Sequence, residues 1–309
     1  MRVSDAMIFD RIAILGAGLI GASIALAARA SNAAGAVALF DHDGDVRKRA
    51  RALGLGEVCD DASSAVAGAD LVVLAVPVGA MGAALAACAG ALKSGAIVTD
   101  VGSVKGAVIE ALRAVLPADA FLVPGHPIAG TEHSGPEAGF AALFKSRWHI
   151  LTPLADERRE YADAVNRLEA FWRALGAEVE RMDASRHDVV LAVTSHLPHL
   201  IAFNIVAMAE DLESVTESEV VKYSASGFRD FTRIAASDPT MWRDVFLHNR
   251  EAVLEVLGRF SEDLAALQRA IRWGDGDTLY DLFDRARRMR REVIEAGQDT
   301  PTPNWGRDT

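Results

Sequence analysis

The sequence predicts an α/β N-terminal domain with a doubly wound, mostly parallel sheet, followed by an all-α C-terminal domain. Three observations lead there. Short apolar runs alternate with helical patterns as far as Met182. A glycine-rich turn, Gly16-Ala17-Gly18-Leu19-Ile20-Gly21, joins the first apolar run to the first helical stretch. From Arg186 to about Ala296 no segment reads as a strand. The expected boundary therefore falls between residues 182 and 183, giving domains 1–182 and 183–309.

The expected strands are Ile12–Leu15, Val37–Phe40, Leu71–Ala75, Ile97–Asp100, Phe121–Val123, His149–Thr152 and Val179–Met182. They are rich in Val, Ile and Leu and mostly apolar throughout, as strands covered on both faces are. Helical patterns lie between them at Val46–Leu53, Met81–Ala91 and Lys105–Val115. Alternation of this kind implies parallel pairing. In the second half His187–Leu212 is apolar at helical spacing. Asp238-Pro239 is a capping residue followed by proline, a standard helix start. Val245, Phe246, Val253, Leu257, Phe260, Leu264, Leu267 and Ile271 then share one broad face. Asp275–Thr278 breaks the pattern before a last helix towards Ala296, and Gly297–Thr309 reads as a loose tail. Long apolar faces in a small all-α half point to a homodimer through that half, with a self-contained bundle as the alternative.

The glycine turn has the spacing of a dinucleotide fingerprint in a Rossmann unit. Gly16 permits the turn, Gly18 lets backbone N–H groups approach a pyrophosphate, and Gly21 lets helix pack on strand. The positive end of the helix dipole then faces the anion, with Leu19 and Ile20 in its first turn. Asp41 follows the second strand, twenty residues after Gly21, and is suited to accept both ribose hydroxyls. It would repel a 2′-phosphate, so the expected cofactor is NAD rather than NADP. A structural glycine turn in another βαβ unit is the alternative.

Composition narrows the partners. The 309 residues carry a net charge of −11 and no block of Lys and Arg, which disfavours nucleic acid and anionic membranes. A small-molecule substrate is expected, and an anionic one needs local cations. Cys59 and Cys88 form no CxxC and read as small core residues of a reducing, cytoplasmic setting. Met1–Asp10 has no apolar segment of signal-peptide length. Ile12–Ala28 is uncharged, but its three glycines favour the strand–turn–helix reading over a membrane span.

Ligands in open α/β sheets sit beyond the carboxyl ends of the strands. There the sequence offers Val76-Pro77, then Asp100-Val101-Gly102-Ser103-Val104-Lys105, then Pro124–Gly135. Val76, Pro77, Asp100 and Ser103 are cofactor-edge candidates. His126 precedes a proline, so it is pushed towards extended geometry and should project from a strand end. Imidazole, with an unperturbed pKa of about 6.5, suits removal of a hydroxyl proton near neutrality. A loop histidine satisfied by backbone is the alternative. Ser103 and Lys105 read equally as a helix cap and a solvated lysine. Glu132 is either a first-turn acid or a substrate contact. His196 and His199, in Thr194–His199, share a helix face. They line a cleft or sit in the core; no nearby acid or cysteine completes a metal set, so no metal is expected. Gly227–Arg233 and Met241–Arg243 concentrate guanidinium and aromatic groups. Arg is the natural clamp for a carboxylate, and ion pairs with Asp230 or Asp238 are the alternative.

Taken together, GAGLIG, DVGSVK, GHPIAGTEHSG, SHLPH and GFRDFTRIAxSDPxMW resemble the prephenate and arogenate dehydrogenases of tyrosine biosynthesis, over Ile12–Trp242. The resemblance implies a Rossmann domain, a helical dimerisation domain and an active site between them. By motif, His126 resembles the catalytic histidine and Ser103 the serine that supports it. Arg233 resembles the arginine that grips a substrate carboxylate. Glu132, His196 or His199, Trp242 and Gly227 resemble further substrate-cleft residues. Ser224-Ala225-Ser226-Gly227 departs from the pattern, which has more glycine there. The implied reaction is oxidative decarboxylation of prephenate or arogenate with NAD. A two-domain β-hydroxyacid or imine oxidoreductase and a non-catalytic NAD-responsive binding protein are the rivals; neither requires the HPIAGTE stretch.

Overall fold

Nine short strands and the helices between them account for most of the residues that the computed structural model describes, namely 7–131, 133–216 and 225–295. β1 (Phe9–Leu15), β2 (Ala34–Phe40), β3 (Glu57–Val58), β4 (Leu71–Leu74), β5 (Ile97–Asp100) and β6 (Phe121–Leu122) form one parallel sheet in the order β3-β2-β1-β4-β5-β6. The chain winds one way from β1 to β3, then returns to the other side of β1. The switch between β1 and β4 is where such sheets open a ligand crevice. β4 and β5 are buried along their whole length, which explains the unbroken apolar run of β4 and the apolar start of β5, Ile97-Val98.

Helices cover both faces. α1 (Leu19–Ala30) and α6 (Arg159–Ala174) pack on one side, with Phe9, Phe171 and Trp172 fully buried. α3 (Ala62–Val66), α4 (Met81–Ala86) and α5 (Gly106–Arg113) cover the other, around Val72, Leu74, Met81 and Leu112. The exposed α2 (Gly44–Ala52) starts at Asp43, whose side chain accepts from the Asp45 N–H. Both cysteines are free and buried. The uncharged run Ile12–Ala28 is divided among strand, turn and helix.

Two expectations about the sheet are corrected. β3 and β7 (Gly125–Pro127) are too short to make an apolar run, and the sequence reading missed both. β8 (Trp148–Leu151) and β9 (Glu178–Arg181) do not extend the parallel sheet. They form a second, three-stranded sheet with β7, which runs antiparallel to β8. In it His126 lies opposite Ile150.

The helical part also departs from its expected form. His187–Leu212 is not one regular helix: α7 (Ala184–Leu191) passes through a π turn, Ala192–His196, into α8 (Leu197–Thr216). By length and composition the stretch Ala184–Asp211 is apolar enough to cross a membrane. α9 (Ser226–Thr232) leads through a 3₁₀ turn, Arg233–Ala236, to α10 (Pro239–His248). Asp238 caps α10 by accepting from the Met241 N–H at 2.9 Å. The expected continuous face breaks at Asn249, after which α11 (Arg250–Trp273) begins. α12 (Gly276–Glu295) follows, with Asp275 accepting from the Thr278 N–H. The tail Gly297–Thr309 lies outside the described residues. The chain divides into two compact units, Met1–Val253 and Leu254–Thr309. In the first, Val104, Trp242 and Val245 form a small core with Val78, Ala107 and Phe203. In the second, Leu264, Ile271, Trp273 and Phe283 expose more than half their surface.

Candidate active site

The glycine turn shows why each glycine stands where it does. Gly16 has φ +101°, and a Cβ there would lie 2.4 Å from the Ala75 carbonyl oxygen, at the end of the neighbouring β4. A Cβ on Gly21 would lie 1.9 Å from the Gly16 carbonyl oxygen. On Gly18 it would meet nothing within 4 Å. Two glycines are thus required by packing, and the third opens space in front of Leu19 and Ile20 in the first turn of α1. That is the cradle a pyrophosphate needs, at the positive end of a helix. Asp41 accepts from the Ala17 N–H at 2.9 Å through one oxygen and from the Asp43 N–H at 3.0 Å through the other. Each carboxylate oxygen has two lone pairs, so acceptor capacity remains for ribose hydroxyls. These residues fit a dinucleotide. Val76 is half-buried and Pro77 exposed at the end of β4, beside the turn.

Past β5 the chain builds a polar cluster that water does not reach. Lys105, expected at the surface, is fully buried. Its ammonium pairs with the Asp100 carboxylate and donates to the Gly125 carbonyl at 2.6 Å. Burial pulls its pKa down against the pull of Asp100. Asp100 is corrected as a cofactor contact. It is fully buried, and it also accepts from the N–H groups of Gly102 at 2.9 Å and Gly125 at 3.3 Å. Its carboxylate organises the loop from behind. Ser103 is half-buried in that loop, and its side chain does not cap α5. Asp188 does so instead, accepting from the N–H groups of Lys105 at 2.7 Å and Gly106 at 2.8 Å.

His126 stands on β7 beside this cluster and is nine-tenths buried. Its Nδ1 lies 2.9 Å from His187 Nε2, and His187 Nδ1 lies 2.8 Å from Asp188 Oδ1. Burial, then the neighbouring His187 and Lys105, hold the His126 pKa well below its ordinary value. The ring is therefore neutral near pH 7 and able to take a proton. Behind β7, His149 stacks on Trp172 at 3.8 Å. A Cβ on Gly125 would come within 2.6 Å of His149 Nε2.

The π turn and α8 supply the opposite wall. His196 is fully buried, with Nδ1 3.0 Å from Asn249 Nδ2. Burial lowers its pKa to about 4. His199 is half-buried, stacks on Trp242 at 3.7 Å and bonds the Ser195 carbonyl through Nδ1. Arg233 lies close enough to His199 to add to the burial that lowers its pKa. The structure thus brings His126, Ser103, His196, His199 and Trp242 into one neighbourhood, with Arg233 at its exposed side. Gly227 is exposed on α9. Glu132 lies outside the described residues. Of the other arginines, Arg243 pairs with Asp244 at 2.7 Å, an acid the sequence reading did not name. Among the described residues no group of three His, Cys, Asp or Glu is placed to hold a metal.

Sequence reasoning missed His187, Asp188 and Asn249. The first two form an unremarked His-Asp pair in a helix. Asn249, which also donates to the Asp188 carbonyl at 2.9 Å, sits where one helix was read through. Only a charged pair in an otherwise apolar segment gave any signal.

A glycine cradle at a sheet switch point, an acid at the end of the second strand and a buried neutral imidazole nearby define a dinucleotide-dependent oxidoreductase. Two family models match the chain: prephenate dehydrogenase, nucleotide-binding domain, over residues 24–181, and prephenate dehydrogenase, dimerization domain, over residues 183–285. The chain belongs to the prephenate dehydrogenase family. It is 46% identical over 284 residues to the cyclohexadienyl dehydrogenase of Zymomonas mobilis, covering 92% of this chain and 96% of that one. Among solved structures, the prephenate dehydrogenase of Aquifex aeolicus in complex with hydroxyphenyl propionate and NAD+ superposes with a TM-score of 0.83 at 34% identity, covering 92% and 98% of the two chains. The arogenate dehydrogenase of Synechocystis gives 0.74 at 25% identity, with 92% and 99% covered.

Proposed function

We propose that this enzyme oxidatively decarboxylates prephenate to 4-hydroxyphenylpyruvate, arogenate to tyrosine, or both, with NAD as cofactor. The observation that carries the reading is His126, a buried neutral imidazole within electrostatic reach of Lys105 in the loop after β5 and of His196, whose ring lies 6.1 Å from that of Trp242. Family membership supports it. The substrates differ in a keto or amino group on the side chain, and both present a ring hydroxyl at C4 and a carboxylate at C1.

Gly16, Gly18, Leu19, Ile20, Gly21 and Asp41 hold the dinucleotide, with Val76 and Pro77 at its edge. When bound, NAD supplies the acceptor for the hydride that leaves ring C4. The remaining work falls to this chain. His126 accepts the C4 hydroxyl proton as the C–O bond gains double-bond character, and Ser103 supports its position. The new carbonyl is conjugated through both ring alkenes to C1. It receives the electron pair released when the C1–carboxylate bond breaks, and the proton on His126 returns to the same oxygen, now phenolic. CO2 departs and the ring is aromatic, so no proton is gained or lost overall. Arg233 pairs with a substrate carboxylate against the negative field of the protein. His199 is the histidine of its pair that meets the ligand, because His196 is sealed off. Alignment of two rings in a dry site is positioning catalysis.

The enzyme acts in the cytoplasm as a homodimer. The second compact unit supports this, since it exposes Ile271, Trp273, Tyr280 and Phe283, a patch a lone soluble chain rarely leaves open. NADH absorbance followed with prephenate, then arogenate, then a 3-hydroxy acid tests the activity. Turnover of the 3-hydroxy acid alone overturns it. Light scattering during size exclusion tests the dimer.

A further inference from the structure

We propose that Asp188, acting through His187, is the positioning residue that fixes the tautomer of His126 and so decides which of its ring nitrogens is free to take the substrate proton. The inference rests on the reading of His126 as the base, and it assigns a task to two side chains that reading does not use.

The argument is a count of hydrogens along three groups in line. An ionised carboxylate only accepts, so the hydrogen between Asp188 and His187 belongs to His187 Nδ1. A neutral imidazole carries one N–H, which leaves His187 Nε2 as an acceptor. The 2.9 Å contact from that atom to His126 Nδ1 is then a hydrogen bond only if His126 donates. His126 must carry its hydrogen on Nδ1, and its Nε2 keeps the lone pair. Reversing one member reverses all three. The direction is therefore set where the chain of bonds ends, on Asp188.

Asp188 is held in the charged state this requires. Burial alone would raise its pKa, but hydrogen bonds from His187 and from the N–H groups of Gly106 and Lys105 outweigh burial and hold it below the usual carboxylate value. The last two donors are the start of α5, where an anion is favoured. The groups that act on His126 are His187 on α7, Lys105 on the loop leading to α5, His149 on β8 and His196 in the π turn, while Asp188 and Asp100 act on His187. Lys105 is tied to Asp100 and the Gly125 carbonyl, and neither ring nitrogen of His149 has a hydrogen-bond partner. Among the described residues only His187 bonds to the His126 ring. Since the reaction returns its proton to the substrate, this line of groups stabilises a transient imidazolium and need not lead to solvent.

Three measurements test this. In ¹⁵N-labelled wild-type enzyme, imidazole nitrogen shifts should show His126 and His187 both protonated at Nδ1; an Nε2–H His126 overturns the proposal. His187→Gln keeps a carbonyl oxygen for His126 and an amide N–H for Asp188, whereas His187→Phe offers neither. The Gln variant should stay within about tenfold of wild-type kcat, and the Phe variant should fall by about 10²-fold or more, as a base in the wrong tautomer does. Equal losses overturn the proposal. Asp188→Asn should lower the kcat plateau and move the acid limb of its pH profile downwards, because a charge that favours imidazolium is gone. A lower plateau with an unmoved limb marks Asp188 as a helix cap alone and overturns the assignment. If wild type oxidises neither prephenate nor arogenate, the functional reading falls, and the nitrogen shifts still decide the tautomer.

Discussion

Lys105 and Asp100 form an ion pair from which solvent is excluded on both sides. The pair joins the loop after β5 to β7, because the same ammonium holds the Gly125 carbonyl and the same carboxylate holds the Gly125 N–H. Removing one member strands the other charge in the interior. Lys105→Ala is expected to cost about 3–5 kcal/mol of stability. Lys105→Met combined with Asp100→Leu should cost less than Lys105→Ala alone. Urea unfolding of the two variants provides the check, and a larger loss in the double variant refutes the explanation.

His126→Asn should leave the affinity for NAD intact, since the imidazole stands on β7 and not in the glycine turn. Turnover should fall by about 10²–10⁴, the usual contribution of a positioned base. Fluorescence titration with NADH and initial rates separate the two effects, and unchanged turnover removes the proposed role.

Arg233→Ala should raise KM for the substrate far more than it lowers kcat, the signature of binding shared equally by ground and transition states. A fall in kcat at constant KM would move the residue from gripping the carboxylate to the chemical step.

Gly18→Ala and Gly21→Ala should fail differently. The first places a methyl in open space, so melting temperature should hold while the Kd for NAD rises. The second drives a Cβ into the Gly16 carbonyl oxygen and should destabilise the fold itself. Paired thermal melts and NADH titrations distinguish them; equal melting temperatures would contradict the packing argument.

Stability should fall as pH drops below neutrality. Burial lowers the pKa of His126, His149, His187, His196 and His199, so the unfolded chain binds their protons first. Their contribution is complete above the unfolded value of 6.5 and is lost as pH falls towards the folded values. For His196, shifted to about 4, this amounts to roughly 3 kcal/mol. Melting temperature measured from pH 7 to pH 4 should decline steadily, and His196→Gln should flatten part of the slope. A level profile across that range would refute it.

The parallel sheet was legible because buried strands write apolar runs, as Leu71–Leu74 does throughout and Ile97–Val98 does at the start of β5. β7 left no such trace: three residues, Gly-His-Pro, take their strand geometry from pairing with β8. The glycine turn was legible because local backbone sterics dictate it. Asp188 was not, since its partners Lys105 and Gly106 lie more than eighty residues away in sequence and nothing local marks the encounter. Lys105 shows the same limit. Its burial depends on Asp100 and Gly125 closing around it, and a lysine after a loop serine otherwise reads as solvated.

The wide turn at Ala192–His196 sets the angular phase of everything downstream. Each residue of an α-helix advances the chain by about 100°. Excising Val193 alone would therefore swing His196 and His199 by about 100° around the axis, parting them from Asn249 and Trp242 without altering either side chain. Length, more than composition, is the quantity natural variation must hold constant across those five positions.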